Sequence, residues 1–395
     1  MKKGWKWKPL GEVCKTGSGG TPLSSRKEYY EGGNIPWLVS GEVAQGNVRA
    51  AKNFITKAGL ENSSARLFPK DTVLVAMYGA TAGQVGILRF EAATNQAVCG
   101  ILPNDKFVPE FLFYFLLAKK DELVAQATGN AQPNISQIKI KNTEVPVPQL
   151  AEQQRIVGLL DEAFEGLSTA KANAEKNLQN ARALFESHLQ SVFTQRGPGW
   201  RHDQLDALTE PDTPITYGVV KPGDEGEIAF VRGGDLVRGK VRLTQLRTIT
   251  RVVSDQYRRT LLRGGELLIC LVGQPGQVAV APIELAGANI ARQVGLIRLK
   301  KMIDAEFVRY FLQSAPGAEA LGARESGSVQ QVINLGELRQ VSVHYPDFVQ
   351  QRKIVAGLEA METETQRLAR LYERKHAALE GLKKSLLHHA FSEEL

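Results

Sequence analysis

Residues 15–22, Lys-Thr-Gly-Ser-Gly-Gly-Thr-Pro, gather Gly17, Gly19 and Gly20 into a cluster of the kind that cradles phosphate. A nucleotide loop needs a Lys-Ser/Thr pair directly after its last glycine, because the ammonium and hydroxyl neutralise phosphate and hold magnesium. Here Gly20 is followed by Thr21-Pro22. Proline bars a helix from starting there with free N–H groups aimed at a ligand. The cluster therefore reads as a turn leading through a loop into a strand over 35–39. Nuclease chemistry fares no better: Pro346-Asp347 with Glu373-Arg374-Lys375 mimics a PD…(D/E)xK pattern, but its second part lies in a long helical repeat. The six histidines, His388-His389 among them, make no nucleophile arrangement. Cys14, Cys99 and Cys270 lie far apart without ligand spacing, which predicts buried thiols and neither zinc nor disulfides. The Asn/Asp-Pro-Pro-aromatic segment of adenine methyltransferases is absent, as is a glycine-rich loop for S-adenosylmethionine. The sequence contains no active site.

What remains is recognition chemistry. Between 232 and 263 stand Arg232, Arg238, Lys240, Arg242, Arg247, Arg251, Arg258, Arg259 and Arg263 against Asp235 and Asp255. A guanidinium fork grips a phosphate or the O6/N7 edge of guanine with two donors at once. A matching stretch earlier in the chain carries Arg49, Lys52, Lys57, Arg66 and Lys70 against Glu61. Tyr78, Thr81 and Gln84 in a glycine-permitted loop correspond to Gln274 and Gln277 in another. Asn95-Gln96, and Asn289 with Arg292-Gln293, add side chains able to pair with adenine or guanine edges. Any one of them could be a solvated surface residue; their clustering in two places points to nucleic acid. The net charge of +7 and a pI near 9.2 agree with a polyanionic partner.

The two places are two copies. QLAEQQRIVGLL at 149–160 returns as DFVQQRKIVAGL at 347–358, with a constant offset of 198 (350 − 152) that also carries Gln132 to Gln330, Ile135 to Ile333, Pro148 to Pro346, Ser187 to Ser385 and Phe193 to Phe391. Looser matches join NIPWLVSGEVAQGNV (34–48) to EIAFVRGGDLVRGKV (227–241), and TVLVAMYGATAGQVGI (72–87) to ELLICLVGQPGQVAV (266–280). Each copy opens with short β-branched runs such as 35–39, 73–77 and 85–88, which predict a compact α+β globule. Each closes in a long helical repeat. Ile156, Leu160, Ala163, Leu167, Ala170, Ala174, Ala181 and Leu184 alternate steps of four and three with one missed position at Asn177, as do Ile354, Leu358, Met361, Thr365, Leu368, Tyr372, Leu379, Leu382 and Leu386 with Lys375 at the matching gap. That is a coiled-coil seam, and a helix over 150–194 would be roughly 65 Å long. An alanine-rich seam facing a leucine-rich one suits pairing of the two helices with each other, although each could instead pack on its own globule.

The predicted architecture is thus an α+β chain of two tandem α/β recognition domains, 1–149 and 199–346. They are separated by an antiparallel pair of spacer helices, 150–198 and 347–395, with an internal pseudo-two-fold that brings Lys2 near Phe391. At 395 residues the chain is long enough for two such cores. It carries no signal peptide and no apolar run long enough to span a membrane, so we expect a soluble, cytoplasmic protein.

GSGGTP followed by a Tyr-rich loop and IPWLVSGEV, the VGILRFEAATNQAV segment, and two Pro-x-x-x-Gln-Gln-type helix starts (PQLAEQQRIVGLL and PDFVQQRKIVAGL) resemble the DNA-sequence specificity subunit of type I restriction–modification systems. The resemblance covers essentially the whole chain. The second copy departs at its start, TPITYGVVKPGDEGEIAFV, which lacks the GGTP and the tryptophan, so its base preference should differ. The resemblance implies two target-recognition domains that each read one half of a bipartite duplex site. It implies helices that anchor two modification subunits carrying S-adenosylmethionine for N6 methylation of adenine, and restriction subunits that add ATP- and Mg-dependent translocation and cleavage. This chain itself would hold no metal or cofactor. Two alternatives remain at this level: a specificity subunit of a methylation-only or related defence system, and a coiled-coil assembly scaffold that binds no DNA. If the helices set the spacing of two half-sites about one duplex turn, roughly 34 Å, apart, inserting one heptad into both should lengthen the unspecified gap of the methylated site without altering the half-sites. An unchanged gap would show that the helices are not a ruler.

Overall fold

The computed structural model describes residues 5–126, 134–322 and 332–392; Lys2, Gln132 and Gln330 lie outside them. The chain forms two compact units, Met1–Glu175 with Arg374–Leu395, and Lys176–Glu373. Each is an α+β globule to which two long helices contribute: Leu150–Thr194, of 45 residues, and Phe348–Phe391, of 44.

In unit 1 the fully buried runs Val73–Ala76, Val85–Leu88 and Val98–Ile101 are the centre of a five-stranded sheet completed by Thr16–Ser18 and Asn47–Val48. Burial on both faces explains why these strands are almost uniformly apolar. A second sheet of four orders Asn53–Ile55, Ile35–Leu38, Ala92–Thr94 and Leu67–Phe68, with Trp37 opposite Ala93 in a parallel pair. Helix Pro109–Ala118 covers the first sheet; proline at its first turn fits, since that N–H has no helical partner. Strand Lys6–Pro9 pairs antiparallel with Glu144–Val147 and leads the chain out into the first long helix.

Unit 2 repeats this plan. Thr216–Tyr217, Val294–Ile297, Leu267–Cys270 and Val278–Val280 make one sheet, and Arg247–Ile249, Ile228–Val231 and Asn289–Ile290 the other, again with one parallel pair, Phe230 opposite Asn289. Arg201–Gln204 pairs with Ser342–Tyr345, and Ala305–Gln313 takes the place of the covering helix.

The repeated helix start has a structural cause. Gln153 is fully buried. Its Oε1 accepts from the Val108 amide at 2.8 Å, and its Nε2 donates to the carbonyls of Lys106 at 2.8 Å and Pro148 at 3.0 Å. Gln351, equally buried, accepts from the Asp304 amide at 2.9 Å and donates to Met302 at 3.3 Å and Pro346 at 2.9 Å. One buried amide side chain thus satisfies three backbone groups and locks the helix start to its globule, which neither glutamate nor an apolar residue could do. Asp347 caps its helix, accepting from the Gln350 amide at 3.0 Å, and Glu373 faces Arg182 at 3.8 Å. The pieces of the apparent nuclease pattern are therefore structural.

Both packing alternatives hold, each for part of the helix. The first turns are core of their own domain: Ile156, Val157 and Leu160 in unit 1, Val355 and Leu358 in unit 2. The last turns are core of the other copy. Phe391 stands edge-on to Phe111 and Phe115 at 5.3 and 5.4 Å, in the cluster that Trp5 and Trp7 also enter. Phe193 meets Phe307 and Phe311 at 5.3 and 5.6 Å, beside Trp200. Within unit 1 the helices run antiparallel, with Lys171 bonded to Glu380 at 2.8 Å and Glu175 3.5 Å from His376. There Ala174 is buried and Leu167 and Leu379 half-buried; in unit 2 Ala181 is buried and Met361, Leu368 and Ile354 half-buried.

Leu184 corrects the predicted seam. It is 64% exposed, as is 47% of Leu382, while burial passes to Leu189 and Phe193 and to Leu387, Ala390 and Phe391. Leu386 stays half-buried against the unit 1 core. A straight helix drifts about 20° per heptad from a strict 3.5 repeat, so over the four heptads from Ile156 to Leu184 the stripe moves by nearly one residue.

The three cysteines are buried, and burial pushes the Cys99 thiol up to about 12. No group of His, Cys, Asp and Glu among the described residues could hold a metal, and none of their helices is long and apolar enough to cross a membrane.

Removing either closing ring should cost about 3–5 kcal/mol, but in different units. In Phe391→Ala, hydrogen exchange should accelerate in Lys6–Pro9 and Pro109–Ala118 while Ala305–Gln313 stays protected. Phe193→Ala should do the reverse.

Candidate nucleic-acid interface

The glycine cluster that opened the sequence reading is packed into the sheets. Gly19 and Gly20 donate their amides to Val98 at 3.1 Å and Thr94 at 2.8 Å. A Cβ on Gly19 would lie 2.1 Å from the Thr94 carbonyl, and one on Gly20 2.3 Å from the Ala65 amide. These amides are spent within the fold, so no phosphate cradle exists there.

Their packing instead fixes a corner where four loops meet. The turn after Ala92–Thr94 sits at its centre: Gly20 bonds Thr94, the Asn95 amide bonds the Leu38 carbonyl at 2.8 Å, and the Met77 amide bonds the Ala97 carbonyl at 2.8 Å. Three other loops, 19–21, 39–40 and 78–84, are thereby tied to it. Unit 2 builds the same corner with the same bonds: Val219 amide to Ile290 at 2.8 Å, Ala291 to Val231 at 2.8 Å, Leu271 to Gln293 at 2.7 Å. Gly218 is the glycine that the second copy keeps in place of the GGTP segment, since a Cβ there would lie 1.8 Å from the Ile290 carbonyl. The second copy lacks GGTP, yet Gly218 keeps the close approach that Gly19 makes in the first.

Several candidates are gathered at these corners. In unit 1 Tyr78 is 38% exposed, Gln96 is exposed and bonded to the Thr21 hydroxyl, and Asn95 and Gln84 are half-buried. Thr81 donates back to the Tyr78 carbonyl, in a loop whose Gly79 and Gly83 have φ of +68° and +77°. In unit 2 the exposed Arg292, Gln274 and Gln277 stand at the corner, and Gln293 accepts from the Gly233 amide at 3.4 Å.

Others lie elsewhere. Arg49 is exposed on the loop after Asn47–Val48; the Lys52 amide bonds Glu42, and Lys57 faces Glu61 at 3.6 Å within its own short helix. Arg238 and Lys240 flank a cavity of about 260 Å³ whose other walls include Glu306, Glu359 and Glu362 of unit 2. Arg258, 3.3 Å from Asp255, and Arg259 sit at the far end of Val294–Ile297, where Arg298 donates to the Arg259 carbonyl at 2.9 Å. The four-residue strand Val294–Ile297 lies between Gln293 and Arg298, five steps or roughly 16 Å apart. Asn289 is a correction: it is fully buried, accepting from Ser254 at 2.6 Å and donating to Tyr257 at 3.4 Å, so it cannot reach a base.

Two carboxylates that the duplication aligns, Glu42 unread in the sequence and Asp235 counted there only as an opposing charge, support these corners. Glu42, in Ser-Gly-Glu-Val, accepts the Val39 amide at 3.0 Å and the Lys52 amide at 2.9 Å. Asp235, in Gly-Gly-Asp-Leu, accepts the Arg232 amide at 2.9 Å, the Arg232 side chain at 3.2 Å and Arg242 at 2.8 Å. Burial opposes ionisation of Asp235, yet the Arg232 amide and the two guanidiniums outweigh it and hold its carboxyl below the ordinary range.

Residues 2–178 match the family model described as the type I restriction modification DNA specificity domain. The specificity subunit of the type I restriction enzyme EcoBI from Escherichia coli is 26% identical over 77% of this chain and 69% of its own length. That of MjaIX from Methanocaldococcus jannaschii is 30% identical over 47% of this chain and 44% of its length. The fold is that of two solved structures: a chain from a type I restriction–modification system, with a TM-score of 0.78, 21% identity and coverage of 100% and 99% of the two chains, and the HsdS subunit of Thermoanaerobacter tengcongensis, with a TM-score of 0.63, 20% identity and coverage of 100% and 98%. A specificity-domain match on the first copy, the same bonded corner in the second, and relatives that share the designation all agree: the first copy carries a type I restriction modification DNA specificity domain, and the chain as a whole is similar to the specificity subunits of those systems.

Proposed function

We propose that this chain reads a bipartite duplex DNA site, one half with the loop corner of each unit, and directs partner adenine-N6 methyltransferase subunits to it. The observation that carries this reading is the corner itself. Three backbone hydrogen bonds of the same pattern recur in both units and hold variable, exposed Gln, Arg, Thr and Tyr side chains on a rigid base. Rigid support with variable tips suits direct readout, in which base-edge contacts specify while cationic contacts to phosphate position. The basic side chains away from the corner, Arg258 and Arg259 among them, would take the positioning part.

In this reading the methyl donor S-adenosylmethionine belongs to two modification subunits, and ATP and magnesium to restriction and translocase subunits. The chain supplies grip. Extracting an adenine from the stack costs a few kcal/mol, so firm hold on flanking duplex favours the partner that does it. The complex would work in the cytoplasm.

Sequencing methylated adenines in DNA exposed to the chain and its modification partners should return two short specified segments with an unspecified gap; a single continuous site, or methylation without sequence preference, would overturn the reading. Replacing Arg258 and Arg259 by Ala should weaken binding to all duplexes alike and reduce the salt dependence by about one unit of slope per lost phosphate contact. An unchanged slope would make them solvated surface.

A further inference from the structure

Glu42 and Asp235 occupy matching positions, yet their surroundings differ in a way that folding alone does not require. In unit 1 two backbone amides satisfy the Glu42 carboxylate, and no guanidinium is involved. In unit 2 the fully buried Asp235 binds one backbone amide and two arginines, both of which remain about half exposed, Arg232 at 42% and Arg242 at 49%. Arg232 stands inside the corner, between Val231, whose carbonyl takes the Ala291 amide, and Gly233, whose amide meets Gln293. Gly233 is packed so closely that a Cβ would lie 2.6 Å from the Cys270 sulfur, whereas a Cβ on Gly234 would meet nothing within 4 Å. The backbone is therefore fixed at Gly233, while the Arg232 side chain itself stays 42% exposed.

Stereochemistry says what that guanidinium offers. Its Nε donates to Asp235 Oδ2 at 3.2 Å and its Nη2 to Oδ1 at 3.4 Å. Two of five donors are thus used side-on, and the end-on pair on Nη1 and Nη2 remains free. Two parallel donors on a rotationally fixed fork match two adjacent acceptors, a geometry shared by the O6/N7 edge of guanine and by two phosphate oxygens.

We propose that Arg232 determines specificity in unit 2 by reading a guanine edge, and that Asp235 is the positioning residue that orients it; unit 1, with Val39 at the matching place, has no such reader. The proposal rests on the DNA-reading function given above. The experiment uses the chain with its modification partners and compares wild type with Arg232→Lys, Arg232→Ala and Asp235→Asn. Bound and methylated sequences should lose the G·C requirement at one position of one half-site, with discrimination there falling about tenfold or more, while the other half-site is unchanged. Placing 7-deazaguanine at that position should weaken the wild type about tenfold and leave Arg232→Ala indifferent. Arg232→Lys keeps the charge and the Asp235 carboxylate, so it decides the matter should Asp235→Asn disturb folding. Equal weakening on every sequence, with a shallower salt dependence, would assign the fork to phosphate and overturn the proposal, as would no change at all. A wild type without any bipartite preference would instead defeat the underlying function, a result distinct from either.

Discussion

One aromatic contact decides what this chain can be. Phe193 and Phe391, 198 positions apart, enter equivalent pockets between the two aromatic residues of a covering helix, at separations agreeing to within a few tenths of an ångström. Rings packed edge-to-face in a core bury large apolar areas in a defined geometry. The consequence is topological. Unit 2 receives its ring from the helix that precedes it, whereas unit 1 receives its ring from a helix nearly three hundred residues downstream. Each unit's core is thus completed by the end of a helix that begins in the other copy of the sequence.

On that base, the proposed reading surface is a rigid corner with changeable tips. The carbonyls and amides that tie four loops together are backbone groups, indifferent to side-chain identity. Substitution of Arg292 or Gln274 would leave those backbone bonds in place, which is what a module proposed to read different sequences needs. The buried carboxylates extend the scheme: Glu42 stiffens a loop through amides alone, while Asp235 stiffens both a loop and two guanidiniums.

Much of this was legible in the sequence because duplication converts one chain into its own alignment. The constant offset aligned the two helix starts with their Gln153 and Gln351, the long helices, and Phe193 with Phe391, but not the burial of the glutamines. It could not reveal that these rings close opposite units, since periodicity records which face is apolar and not which partner it meets. Leu184 was misplaced because a 3.5 repeat and a 3.6 helix part company over four heptads. Asn289 looked like a base reader because its type fits, but its bonds to Ser254 and Tyr257 keep it inside. Gly218 escaped notice because its role, close approach to Ile290, is a property of backbone separation that no neighbouring motif announces.

The central claim, that each unit reads its own half of a bipartite site through its own corner, is tested most directly by a chain carrying the first domain's sequence, 1–149, in place of 199–346. Assembled with the same modification partners and assayed by sequencing its methylated DNA, it should select a site whose two halves carry the same specified bases. A site whose second half still follows the original second domain would contradict the account.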